Sequence, residues 1–60
     1  MAKNRLNIEF IKQDGTASNF WTPVPEGWDD MSEEARAEWV SRAAFRRHRG
    51  AQKAKVLKRA

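Results

Sequence analysis

Asp14-Gly15 lies between two runs of alternating residues, and no other dipeptide restricts the chain as tightly. Both residues tolerate the positive φ values of a type I′ turn, so the pair predicts a β-hairpin with a two-residue loop. Ahead of it, Leu6, Ile8 and Phe10 share one parity while Asn7, Glu9 and Ile11 share the other, the period-two pattern of a half-buried strand. With Asp14 and Gly15 as the loop, Ile8 faces Trp21, Phe10 faces Asn19 and Leu6 faces Pro23. Trp21 then joins Leu6, Ile8 and Phe10 on the core face, and Phe20 falls on the less buried side near Glu9 and Ile11. A hairpin alone is not stable in water, so its apolar face needs a cover. The first strand, with Lys3 and Arg5 near its start, is expected at an open edge.

The cover comes from the middle of the chain. Thr22-Pro23-Val24-Pro25-Glu26-Gly27 cannot extend the ladder far, because each proline lacks a donor and biases its predecessor to extended geometry. It reads as a stiff connector with a turn at Gly27, after which Trp28 is expected to tuck onto the core. Asp29, Asp30 and Ser32 are candidate N-caps, and Glu33 and Glu34 oppose the positive end of a helix dipole. Asp30 with Glu33 has the spacing of a capping box. A helix is predicted from about residue 31 to 49, with Ala35, Trp39, Val40, Ala43 and Ala44 on one stripe and Phe45 nearly opposite. Glu38 and Arg42 form a favourable i, i+4 pair.

Sixty residues without cysteine exclude a disulfide framework and any thiolate metal site, and His48 alone cannot build a metal centre. Three tryptophans and three phenylalanines must supply the stability that covalent staples give other small domains. The expected fold is α+β: a small single domain in which an N-terminal hairpin (roughly residues 4–12 and 16–22) packs on one amphipathic helix. Residues 1–49 form this mini-domain, and residues 50–60 a basic, partly helical tail that frays until an anion binds it. The expected core is Leu6, Ile8, Phe10, Trp21, Trp28, Trp39, Val40 and Ala43.

Charge is divided along the chain. Residues 39–60 hold Arg42, Arg46, Arg47, Arg49, Lys53, Lys55, Lys58 and Arg59 and no carboxylate, whereas residues 1–38 hold four cations against eight carboxylates. A block of like charge points to a polyanion. If helical throughout, its 22 residues span roughly 33 Å, about one turn of B-DNA. The function expected is therefore nucleic-acid binding, DNA favoured over RNA, with these eight cations as the phosphate contacts and Phe45 and Phe20 as aromatics for stacking or partner contact. The alternative is an adaptor or inhibitor that sets the basic helix or the hairpin against an acidic protein. A homodimer is compatible with either.

Other classes find less support. The acids Asp29, Asp30, Glu33 and Glu34 are accounted for by helix capping, and the chain has no nucleophile elbow or glycine-rich phosphate loop. A non-enzyme without cofactor is expected. No apolar run approaches the roughly 20 residues of a membrane span, and the N-terminus leads into alternating residues instead of a secretory segment. The expected location is the cytoplasm.

Overall fold

In the computed structural model, which describes residues 4–60, strands β1 (Arg5–Ile11) and β2 (Ala17–Pro23) form the expected hairpin in a different register. Ile8 faces Phe20, Asn7 faces Trp21 and Glu9 faces Asn19. The cause is the turn. Lys12 N–H donates to the Thr16 carbonyl (2.8 Å) and Gly15 N–H to the Lys12 carbonyl (2.9 Å), so the loop is Gln13-Asp14-Gly15, three residues long. Only Gly15 has positive φ (89°), as in a type I turn closed by a left-handed glycine. The Asp14 carboxylate fixes this geometry, accepting from Thr16 N–H (3.0 Å) and from the Thr16 hydroxyl (2.7 Å). One extra loop residue turns every side chain of β2 over. Phe20 is consequently in the core, and Trp21, expected there, is 41% exposed on the other face.

The second correction concerns the C-terminus. Residues 52–59 are neither a helical extension nor a frayed tail: they form β3 (Gln52–Arg59), antiparallel to β1. The sheet order is β2-β1-β3, so β1 is central and not the open edge expected of it. Lys3 lies outside the described residues. Two forces favour the strand. Ala54 and Val56 alternate with Lys53 and Lys55, which places both apolar side chains against the core. The pairs Arg49/Lys53 and Lys55/Arg59, which repel across one helical turn, stand far apart in extended chain. The ladder shifts register twice, between Asn7 and Ile8 and between Glu9 and Ile11, and at the second shift Lys53 is the only non-glycine residue with positive φ (52°) among those described.

Between β2 and the helix, Gly27 (φ 81°) makes the turn and Trp28–Asp30 form a single 3-10 turn that buries Trp28. Helix α1 (Glu33–Arg47) begins at Ser32, whose side chain accepts from Ala35 N–H (3.1 Å), in place of the expected Asp30/Glu33 box. It ends two residues earlier than the sequence suggests, with His48 in extended conformation. Gly50 lies in the turn between α1 and β3. A Cβ there would lie 2.9 Å from Gln13 Cγ, so glycine lets the α1–β3 turn approach the hairpin loop.

The helix covers one face of the sheet, chiefly over β1 and β3. Leu6, Ile8 and Phe10 from β1, Phe20 from β2, Trp28, Val40 and Ala44 are buried, with Trp39, Ala43, Ala54 and Val56 packed around them. Trp39 meets Trp28 edge to face at 5.6 Å, and Phe10 lies against Phe20 at 6.0 Å. No helix among the described residues is long and apolar enough to cross a membrane.

Candidate nucleic-acid interface

The fold gives the molecule two oppositely charged ends. α1 starts beside the end of β3, where Asp29, Asp30, Glu33 and Glu34 cluster, and it runs about 22 Å to Arg47 beside Phe20, with the turn at Gly50 reaching the hairpin loop beyond it. Arg46 and Arg47 occupy its last turn, Arg49 the turn that follows and Lys53 the start of β3. Contact between Gly50 and Gln13 brings this group to the loop that follows Lys12. Acids at the start of α1 and cations at its end both match the helix dipole, which accounts for Arg46 and Arg47 in part. Arg49 and Lys53 lie beyond the last turn and owe nothing to it.

The eight cations therefore do not act as one element. Three are engaged within the fold: Arg42 with Glu38 (3.2 Å), Lys55 with Glu9 (3.8 Å) and Arg59 with Asp29 (2.8 Å). The Arg59 pair ties the end of β3 to the 3-10 turn, and its hydrogen bond holds the Asp29 carboxyl below its ordinary range. Arg46, Arg47, Arg49, Lys53 and Lys58 have no carboxylate within ion-pair distance among the described residues. Lys58 is separated from the others, on the sheet face away from α1, with its ammonium 5.8 Å from the Trp21 ring.

Lys53 is placed with unusual care. Two residues of β3, Lys53 and Ala54, stand between the partners of Glu9 and Ile11, where β1 offers only Phe10. Such bulges re-aim side chains, and the left-handed conformation costs a non-glycine residue on the order of 1–2 kcal/mol. The cost falls on a lysine at the basic end. Arg47 is held differently, its guanidinium 5.0 Å from the centre of the Phe20 ring. Along β2 a shallow groove of about 370 Å³ runs between Thr22 and Pro23 on one side and Trp39 and Ala43 on the other, lined also by Arg46 and Arg47.

Of the two aromatics expected to be available, Phe45 is, at 54% exposed, and Phe20 is not. Phe20 is buried beneath Arg47 because the register brought it to the core face. Trp21 took the exposed position instead, a residue that sequence reasoning assigned to the core. The signal was present in the three-residue reading of Gln13-Asp14-Gly15. His48 stacks on Phe10 (5.9 Å, 21° between ring planes), which gives that exposed side chain a packing role.

No protein-family model matches the chain, and comparison with curated proteins and with solved structures finds no match. What the surface does has to be argued from its own residues.

Proposed function

We propose that the protein binds nucleic acid by the phosphate backbone, through Arg46, Arg47, Arg49 and Lys53 at its basic end. The observation that carries this reading is the run of these four cations from the last turn of α1 to the start of β3, none with a carboxylate partner among the described residues and all away from the acidic start of the helix. Uncompensated cations gathered in one part of the fold repel one another in the free protein, and a polyanion relieves that repulsion while releasing its own counterions. The bulge supports the reading, since strain at Lys53 is retained where an ordinary strand would avoid it. A basic helix as long as one DNA turn no longer supports it, because α1 ends at Arg47. The contacts argued are to phosphates, which DNA and RNA share. The protein acts as a binding module and not as an enzyme.

The test is a salt titration of binding to a random-sequence oligonucleotide, comparing the wild type with Arg46→Ala/Arg49→Ala/Lys53→Ala. Arg47 stays, because its removal would also uncover Phe20. Each lost phosphate contact lowers the slope of log Kobs against log salt by roughly 0.7–0.9, so the triple variant should lose about two to three units of slope. An unchanged slope would remove these residues from the interface.

A protein partner is the second reading, and the edge of β2 favours it. Lys12/Thr16 and Asn4/Val24 are hydrogen-bonded pairs of the hairpin, so by alternation the N–H and C=O groups of Ala17, Asn19 and Trp21 point outward. Residues 17–22 carry no charge, whereas β3 guards its edge with Lys53, Lys55, Lys58, Arg59 and two register shifts. Asn19→Lys should abolish capture of a strand-adding partner from nuclease-treated lysate, and capture that survives the substitution counts against this edge.

A further inference from the structure

We propose that the sheet face turned away from α1 is a stacking site for a base of single-stranded nucleic acid, with Trp21 as the platform. The inference rests on the phosphate-binding reading and adds the class of strand.

Helix α1 covers only the face that carries Leu6, Ile8, Phe10 and Phe20. The other face presents Arg5, Asn7 and Glu9 from β1, Asn19 and Trp21 from β2, and Lys55 and Lys58 from β3, placed by the observed register. One row across the sheet is Trp21, Asn7, Lys58. Asn7 is only 5% exposed although no helix covers it, and its side-chain amide donates to the Phe20 carbonyl (3.5 Å). Trp21 has 41% of its surface in water, with the Lys58 ammonium over its ring. Glu9, the one carboxylate of this face, is engaged by Lys55, so the surroundings of the indole are cationic.

An aromatic plane among cations matches what a single strand offers, unpaired bases linked by phosphates. A duplex keeps its bases stacked on one another and can present only its backbone or groove edges to a flat sheet. The Lys58 ammonium is loosely held over the indole at 5.8 Å, in exposed surroundings where such contacts are weak. It can move to the phosphate next to the stacked base. Trp21 also lines the groove along β2 with Arg46 and Arg47, so a strand leaving the platform reaches those arginines by passing round the β2 edge.

The experiment uses the full chain and two fluorescein-labelled probes at low salt, a 12-nucleotide oligo(dT) and a duplex of random sequence. Binding is compared among wild type, Trp21→Leu and Trp21→Phe. Leucine keeps apolar cover over Asn7 but has no ring to stack upon, while phenylalanine keeps one; unchanged far-UV circular dichroism checks the fold of each. Trp21→Leu should weaken oligo(dT) binding roughly five- to a hundred-fold, the range for losing one base–aromatic stack, and Trp21→Phe should restore most of it. Duplex affinity should stay within about two-fold, because it depends on Arg46, Arg49 and Lys53. Equal oligo(dT) affinity in wild type and Trp21→Leu overturns the platform while leaving the basic end standing. A wild type that binds neither probe overturns both.

Discussion

Replacing each of the adjacent aromatics Phe20 and Trp21 with threonine separates the observed register from its one-residue neighbour. Threonine preserves strand propensity at both sites, so the difference reads burial alone. Phe20 is 8% exposed, between Phe10 and Arg47. Phe→Ala in a packed core costs about 3–5 kcal/mol, and a buried hydroxyl adds to that. Trp21 is 41% exposed, and water fills the space it leaves, so no cavity term arises. Its transfer term, cut roughly in half by exposure, leaves a cost of about 2 kcal/mol. A domain of this size has about 3–5 kcal/mol in total. Phe20→Thr should therefore be largely unfolded in buffer. Trp21→Thr should stay folded, with its urea midpoint lowered by about 2 M if m is near the 1 kcal/mol/M of the smallest proteins. Urea titration followed by far-UV circular dichroism measures both. If Trp21→Thr unfolds and Phe20→Thr keeps a native baseline, the two-residue loop is right and the register described above is wrong.

Two further predictions concern single contacts. Hydrogen bonding from Arg59 depresses the Asp29 pKa below the ordinary carboxylate range, and a depressed carboxylate stabilises the fold above its unfolded pKa and loses that effect as pH falls through the folded one. Asp29→Asn should thus be less stable than wild type at pH 7, by a margin that shrinks as pH falls below the ordinary carboxylate range, and a gap in urea midpoints that does not change with pH would refute the linkage. Gly50→Ala should be mildly destabilising, by less than about 1 kcal/mol, because its Cβ meets Gln13 at 2.9 Å and that exposed side chain can yield. In a Gln13→Ala background the same change should become neutral or stabilising by about 0.4–1 kcal/mol, since Gly50 does not have positive φ. Equal costs in both backgrounds would show that the crowding is elsewhere.

The parts of the fold that were legible in the sequence are those where one local rule acts without competition. Leu6, Ile8 and Phe10 show their face by parity, Gly27 shows its turn, Trp28 follows it into the core, and Ser32 is one of three candidate caps within four residues. The register of β2 was not legible in the same way, because Asp14-Gly15 fits either a two-residue or a three-residue loop. What decides is partly tertiary, since Phe20 fits against Phe10 beneath α1, and partly local, since the Asp14 carboxylate accepts from Thr16 in the three-residue loop. β3 was hidden by its own charge. Its cations suggest a solvated tail, yet the odd-numbered residues of β1 would be left with open backbone groups unless a strand came to pair with them, as Arg5 does with Ala60.

The same distinction governs the candidate interface. A charge count along the sequence records how many cations are present and nothing of what stands opposite each. Pairing with Glu9 and Asp29 became possible only when β3 entered the sheet, and it gave Lys55 and Arg59 carboxylate partners within the fold. It also carried Lys58 to the face where the slipped register had left Trp21. The two departures from the sequence reading are thus coupled. Without the three-residue loop the indole would be in the core, and without β3 it would have no cation beside it; the stacking face exists only because both occurred.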